Sequence, residues 1–160
     1  MVIKKVNKYT IVDSTYQLLG SFLECLQKQH VRYNSEYERY LSKDCSIEMK
    51  RYIYSKFHNT YLFVNERTGE ILGMGILKKD FNSLHISEIY VCPSQRGRGY
   101  AKRFIKKVLS KSDNPVTLRV HTKNNKAVHL YKSFGFEWYG DICPMGSRMM
   151  IYKGKSDINA

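Results

Sequence analysis

A chain of 160 residues that is 42% hydrophobic and 13% aromatic has enough apolar material for a folded core, and this composition excludes an intrinsically disordered protein. No apolar run approaches the roughly 20 residues that a membrane-spanning helix needs, and the first residues lack the apolar segment of a signal peptide. We therefore expect a single domain over residues 1–160, in the cytoplasm and without a membrane partner.

Basic residues outnumber acidic ones, with 27 Lys and Arg against 14 Asp and Glu, so the formal net charge is +13. Such an excess suits an anionic cofactor, an acidic acceptor or nucleic acid, and it equally suits a solvated surface. The cysteines are widely spaced and form no C-x-x-C pair, so we expect reduced thiols rather than a disulfide framework, and no metal site. These cysteines are Cys25, Cys45, Cys92 and Cys143.

The first part of the chain predicts a strand, two helical regions and a hairpin. Apolar and polar residues alternate over residues 2–12, which predicts a strand, and Ser14 and Gln17 have the spacing of a capping box for a helix that starts at Asp13. A second helical region is predicted over residues 35–57, with a candidate break at residues 43–45. Residues 61–64 and 71–77 flank a glycine-containing turn, which predicts a β-hairpin.

The second helical region also offers side chains for an acceptor pocket. Its tyrosines, including Tyr37 and Tyr40, either line such a pocket or pack with the hydroxyl reaching water. Its acidic residues either attract an amine or remain surface charges. These acidic residues are Glu36, Glu38, Asp44 and Glu48.

The most informative stretch is a strand, a glycine-rich turn and a basic helix between residues 84 and 112. Strand pairing should end at Pro93, and apolar residues at helical spacing begin after Ala101. Gly97 and Gly99 allow close approach of an anion to the free N–H groups of a helix N-terminus. Residues 89–112 hold seven Lys or Arg and no acid, so this stretch predicts a diphosphate-binding turn. It fits neither the P-loop nor the dinucleotide fingerprint.

The turn resembles the acyl-CoA-binding motif of the GNAT family of N-acetyltransferases, [RQ]-x-x-G-x-[GA], with Arg96, Gly99 and Ala101 at the fixed positions. Behind it, residues 116–120 predict a short strand, parallel to the strand before the turn if the intervening helix is a crossover. Residues 124–136 then fill every fixed position of the family's N-x-x-A-x-x-L-Y-x-x-x-G-F signature. Asn124 is placed to cap this helix and Gly135 to end it, and residues 136–139 and 148–152 predict two closing strands.

The resemblance implies a mixed, mostly antiparallel α/β sheet flanked by helices, with a splayed parallel strand pair that binds acetyl-CoA. Strand main chain would hold the pantetheine, amides of the turn would hold the pyrophosphate with added charge from two arginines, and Asn124 would bind the cofactor or fix the splayed loop. The cofactor-binding residues implied are Ile89, Tyr90, Val91, Arg96, Gly97, Arg98, Gly99, Tyr100, Ala101, Lys102, Asn124 and Tyr131. The N-terminal part, about 60 residues, would help to select the acceptor.

Acetyl transfer to an amine needs an oxyanion donor, a general acid and, for a protonated amine, a base. A strand amide near Val91 is the candidate oxyanion donor. Tyr131 matches the family's tyrosine beside the cofactor sulfur and is the candidate general acid; otherwise it packs on its helix.

The base is either Glu88 or His85, or no dedicated base is needed. Glu88 lies on the cofactor strand but could equally be a structural ion-pair partner. His85 faces the other side of a regular strand, unless a bulge changes the parity. Arg119 occupies the position where some relatives have a carboxylate, which argues against a base there. His121 and His129 are expected at the surface.

These observations predict transfer of an acetyl group from acetyl-CoA to a primary amine of a small molecule or protein, by direct attack in a ternary complex of a monomer or homodimer. Two other classes stay open. One is a noncatalytic binding module, against which Tyr131 argues. The other is a nucleic-acid-directed protein that acetylates an aminoacyl-tRNA or a modified base or simply binds, although the chain has no nucleic-acid motif.

Overall fold

In the computed structural model, the structure describes residues 1–35, 38, 41 and 43–154. Within these ranges the chain forms seven strands and four α-helices, and a short 3₁₀ turn (Pro93–Gln95) follows the fourth strand. The strands are β1 (Val2–Lys5), β2 (His58–Val64), β3 (Ile71–Lys79), β4 (Leu84–Val91), β5 (Val116–His121), β6 (Glu137–Tyr139) and β7 (Ser147–Tyr152). The helices are α1 (Asp13–Tyr33), α2 (Cys45–Tyr54), α3 (Tyr100–Lys111) and α4 (Asn125–Ser133).

The strands form one sheet in the order β1-β2-β3-β4-β5-β7-β6. Every neighbouring pair is antiparallel except β4 and β5, which are joined through the α3 crossover and run parallel. Apolar side chains cover both faces of the sheet. One core, around Phe104 and Ile105, lies under α3 and α4, and this side is called the α3 face. The other core, around Leu19, Met49 and Tyr90, lies under α1 and α2, and this side is called the α1 face. The mixed fold predicted from the sequence is confirmed.

The parallel pair β4 and β5 separates after three residue pairs. Leu84 pairs with Val116, His85 with Thr117 and Ile86 with Leu118, and beyond these β4 remains paired only with β3, while β5 remains paired with β7. A bulge accompanies the separation, because Ile86 pairs with Leu77 but Glu88 pairs with Ile76, so Ser87 has no partner. Bulges bend a strand and increase its twist, which opens a gap between β4 and β5.

Several predicted elements differ from the observed ones at their ends. The first strand stops at Lys5, because residues 7–10 form a turn in which Asn7 accepts main-chain hydrogen bonds. Helix α1 begins at Asp13 as predicted, but Val12 is its N-cap residue and no side chain caps it, so the predicted capping box at Ser14 and Gln17 does not form.

In the second helical region, the described helix α2 begins where the sequence placed a break. Asp44 Oδ1 accepts hydrogen bonds from the amides of Ser46 and Ile47, at 2.9 and 3.2 Å, and thereby starts α2 at Cys45. The predicted pocket residues Glu36, Tyr37 and Tyr40 lie outside the described residues. Elsewhere in the described chain, no helix is long and apolar enough to cross a membrane, and the four cysteine thiols are free.

Helices α1 and α2 meet at Gly20, and this close contact yields a stability prediction. A Cβ atom at position 20 would lie 2.7 Å from the amide nitrogen of Ser46 and 2.8 Å from its Cα. Alanine normally stabilises a helix interior by about 1 kcal/mol relative to glycine, but here it forces two backbones apart at an overpacking cost of about 1–3 kcal/mol. We expect Gly20→Ala to lower the free energy of unfolding in urea, whereas Ser21→Ala on the exposed side should not. A stabilised Gly20→Ala variant would contradict the packing.

Candidate active site

A cleft of about 650 Å³ runs through the gap between β4 and β5 and reaches both faces of the sheet. On the α3 face it is bounded by the glycine-rich turn and by α4, and on the α1 face by the last turns of α1. Side chains alternate along the strands, so Ile89 and Val91 pack with the α3-face core while Tyr90 packs with the α1-face core. The two halves of the cleft therefore have different linings.

The glycine-rich turn has the geometry of an anion site. Gly97 and Gly99 have φ of 78° and 81°, a region that side chains with a Cβ disfavour, and a Cβ at either would meet nothing within 4 Å. Gly99 is the N-cap residue of α3, and among the described residues no side chain caps this helix. The first turn also lacks an acid, so its free amides and the positive helix end face open space. These residues fit a pyrophosphate.

Some basic side chains around this turn bind main-chain oxygens of the protein, and others are exposed. Arg96 Nε donates to the carbonyl oxygen of Val91 at 3.0 Å, and its guanidinium lies 5.9 Å from the ring centroid of Tyr90. Arg103 and Lys107 donate to main-chain oxygens at and beside β1. The side chains of Arg98 and Lys102 are exposed beside the turn. Part of the positive charge of α3 therefore stabilises the sheet edge rather than the turn.

Main-chain groups of β4 point into the gap at alternate residues. The amide of Cys92 donates to Leu72 at 2.9 Å, and the oxygen of Tyr90 lies against Gly73, so both groups point towards β3. The main-chain oxygen of Val91 points the other way, into the gap, because it accepts the hydrogen bond from Arg96 Nε. The main-chain groups of Ile89 point the same way as those of Val91, because the β3–β4 register is regular after Glu88. Of the three residues predicted to hold pantetheine through the main chain, the geometry favours Ile89 and Val91 over Tyr90.

Helix α4 brings Asn124 and Tyr131 to the α3-face half of the cleft. The Oδ1 atom of Asn124 accepts from the amide of Ala127 at 3.3 Å, so Asn124 caps α4 as predicted and also lines the cleft. Tyr131 packs beside Phe136, with ring centroids 5.9 Å apart. Burial, and then the nearby carboxylate of Glu88, raise the pKa of Tyr131 to about 12, so its phenol keeps its proton.

Glu88 lies on the α1 face, at the point where the two strands have separated. It pairs with Ile76, whose side chain lies in the α1-face core, and burial raises the pKa of its carboxyl from 4.5 to about 7. No ion pair joins Glu88 to another described residue. Within the described chain, Glu88 therefore has no basic partner for the structural ion pair that was its alternative role.

The bulge at Ser87 changes the face of the sheet on which the side chain of His85 lies relative to that of Glu88. His85 pairs with Lys78, two residues from Ile76, so His85 and Glu88 face the same side of the sheet. The expectation that His85 and Glu88 face opposite sides of a regular strand was wrong. The strand has the bulge that was considered as the alternative. His85 Nδ1 lies 2.9 Å from Thr117 Oγ1, and burial lowers its pKa.

Four residues of the α1-face half, here called the polar wall, are His30, Tyr33, Arg119 and His121. The prediction that His121 lies at the surface is wrong: the side chain is 8% exposed and stacks on Tyr33, with ring centroids 4.7 Å apart. Among the described residues, the predicted acids Glu38, Asp44 and Glu48 do not line the cleft; Asp44 caps α2, and Glu48 pairs with Arg51 at 3.2 Å.

The sequence predicts only part of the polar wall. In β5, apolar residues alternate with Thr117, Arg119 and His121, and this alternation already puts the three polar side chains on one face. His30 and Tyr33 share one side of α1, but only the packing of α1 across the sheet reveals that they reach the cleft.

Comparisons with known proteins agree with this architecture. The model of the acetyltransferase (GNAT) family matches residues 23–136. A mutant of the BH1408 protein from Bacillus halodurans superimposes with a TM-score of 0.70 at 17% identity, covering 89% of this chain and 97% of that chain. A search of curated proteins found no match.

Two solved acetyltransferases share the fold at similarly low identity. A chimera of the spermidine N-acetyltransferase SpeG from Vibrio cholerae with hSSAT has a TM-score of 0.64 at 17% identity, and the match covers 96% of this chain and 96% of that chain. An acetyltransferase from Thermus thermophilus has a TM-score of 0.67 at 13% identity, covering 96% of this chain and 97% of that chain. At these identities, the likenesses concern the fold alone.

Proposed function

The chain belongs to the GNAT acetyltransferase family, and we propose that it transfers the acetyl group of acetyl-CoA to a primary amine by direct attack in a ternary complex. The family assignment makes it an acyltransferase; the donor, the amine and the residue roles are the proposal. The glycine-rich turn and the exposed main chain of β4 would hold acetyl-CoA along the α3-face half of the cleft. The amine would enter from the α1 face.

The observation that carries this proposal is the placement of Glu88 and Tyr131 on opposite sides of one gap. Tyr131 packs with the α3-face core and Glu88 lies on the α1 face, yet the carboxylate is close enough to raise the pKa of the phenol. A group that passes through the gap would therefore meet a proton acceptor on one side and a proton donor on the other.

Each residue has a task that its environment supports. The amine nitrogen forms a bond to the acetyl carbon while the carbon–sulfur bond breaks, so one proton must leave the nitrogen and one must reach the sulfur. Glu88, whose pKa is about 7, accepts the first proton, and Tyr131 donates the second. The Val91 amide faces the gap and would donate to the carbonyl oxygen as negative charge develops there.

Glu88 is a better candidate base than His85 for a geometric reason. His85 lies in the paired part of β4, where one ring nitrogen is already 2.9 Å from the Thr117 hydroxyl. Glu88 lies beyond the last pair, inside the gap, and its charge acts on Tyr131. We therefore assign His85 to the support of the β4–β5 junction.

Replacing Tyr131 by phenylalanine tests the assignment of the acid. We expect Tyr131→Phe to lower kcat by about ten- to a hundredfold, less than a typical acid–base loss because a thiolate leaves readily, with less than about a threefold change in acetyl-CoA affinity. Release of CoA thiol measures kcat, and calorimetry measures affinity.

Tyr139→Phe, which removes an exposed hydroxyl on β6, is the matched control and should behave like the unmodified enzyme. A Tyr131→Phe variant that loses acetyl-CoA affinity instead of turnover would make the hydroxyl a binding group and remove it from the chemistry.

A further inference from the structure

Arg119 is a cation in the polar wall without an acidic partner. Among the described residues, its Nη1 donates one hydrogen bond, to the hydroxyl of Ser147 at 3.4 Å, and no carboxylate pairs with it. Its side chain is exposed to the cleft, and its charge helps to lower the pKa of His85 across the strand pair. A guanidinium that keeps most of its five donors available is suited to a carboxylate or phosphate.

The rest of the α1-face half adds no compensating negative charge. Glu88 is the one acid among the described residues that line the cleft. Burial lowers the pKa of His30 and of His85, so these rings are neutral hydrogen-bonding groups at pH 7. Besides Glu88, the charged groups of the described residues near this half are the guanidinium groups of Arg119 and of Arg96, the latter 5.9 Å from the ring centroid of Tyr90.

We propose that the acceptor is a primary amine that also carries a carboxylate or phosphate a few bonds from its nitrogen, and that Arg119 selects it by binding this anionic group. This inference rests on the proposed function and names its substrate class. Arg119 immediately follows the last β4–β5 pair and Glu88 lies two residues beyond it, on the same face of adjacent strands. Both residues therefore stand at the narrow end of the gap, next to its last strand pair, so an acceptor that reaches both must carry its two charges close together.

The same arrangement disfavours a polycationic acceptor. Spermidine carries several ammonium groups and would place one of them near Arg119, where like charges in a partly buried cleft repel. A carboxyl of pKa about 7 offers at most one opposing charge. This chain therefore differs in expected acceptor from the spermidine N-acetyltransferase whose fold it shares.

Matched amine pairs test the inference. Thiol release would be measured with O-phosphoethanolamine against ethanolamine, with glycine against glycinamide, and with spermidine. We expect kcat/KM to be at least about tenfold higher for the anionic member of at least one pair, and lowest for spermidine, because one charged hydrogen-bonded contact is worth roughly this factor. Arg119→Gln should reduce that ratio towards one and leave acetyl-CoA affinity unchanged.

Arg67→Gln removes the same charge from the exposed β2–β3 turn and should keep the preference. A preference for the uncharged or cationic amines would overturn the inference, and so would an anionic preference that survives in Arg119→Gln. In both cases acetyl transfer itself persists, so the proposed function stands. If no amine, anionic or not, releases thiol, the inference and the proposed function fall together.

Discussion

Glu88→Gln is expected to lower kcat by about a hundred- to a thousandfold while leaving acetyl-CoA affinity nearly unchanged. The amide cannot accept the proton of the attacking amine, but it keeps the shape of the side chain and the register of the bulged strand. In the unmodified enzyme, kcat/KM should rise with pH through about 7 and then level off, because the carboxyl must be ionised to act. The variant should lose this rise, and steady-state thiol release from pH 5.5 to 9 measures both effects.

The raised pKa of Glu88 also predicts how the stability of the protein depends on pH. Its pKa is raised from 4.5 to about 7 on folding, so between these values the folded state binds more protons than the unfolded state, and stability falls as pH rises. At about 1.4 kcal/mol per pKa unit, the loss reaches at most about 3 kcal/mol above pH 7. Glu88→Gln removes this loss, so it should be more stable than the unmodified protein at pH 8 and lose that advantage at pH 4.5.

Urea unfolding at the two pH values separates the outcomes. A variant that is inactive and also less stable at pH 8 would mean that Glu88 holds the strand together, and its assignment as the base would then be withdrawn.

Gly99→Glu is expected to weaken acetyl-CoA binding by at least about a hundredfold. The new carboxylate would stand at the N-terminus of α3, where the free amides attract an anion, and it would compete with a diphosphate for them. Two to three kcal/mol of lost charge-assisted hydrogen bonding corresponds to about this factor. Calorimetric titration measures the affinity, and circular dichroism checks that the variant is folded.

Gly69→Glu is a close control for this experiment. Gly69 lies in the β2–β3 turn with φ of 74°, against 81° for Gly99, and a Cβ there also meets nothing within 4 Å. The backbone strain and the added charge are thus the same, but the cleft is distant. Equal weakening in both variants would place the effect in stability or net charge rather than in the turn.

The sequence predicted the half of the cleft that is built from local structure, on the α3 face. A strand that ends at a proline, two glycines at positive φ and a helix N-terminus form one continuous stretch, so residues 84–112 specify their own geometry. Asn124 likewise caps the helix that begins at the next residue. In such segments neighbours in sequence are neighbours in space.

The other half depends on contacts between distant parts of the chain. His121 looked like a surface residue because the β5 sequence does not reveal that Tyr33, at the end of α1, stacks on it. The parity of His85 depended on one unpaired residue, Ser87, and no residue type marks a bulge unambiguously. Propensity and periodicity describe single elements, whereas an acceptor site is built between them.

Calorimetric titration of the unmodified protein with acetyl-CoA tests whether the gap between β4 and β5 is an acyl-CoA site. We expect one binding event per chain with a dissociation constant of about 1–100 µM, competition by free CoA, and loss of the heat in Gly99→Glu but not in Gly69→Glu. Absence of binding at millimolar acetyl-CoA, or binding that Gly99→Glu leaves intact, would contradict it.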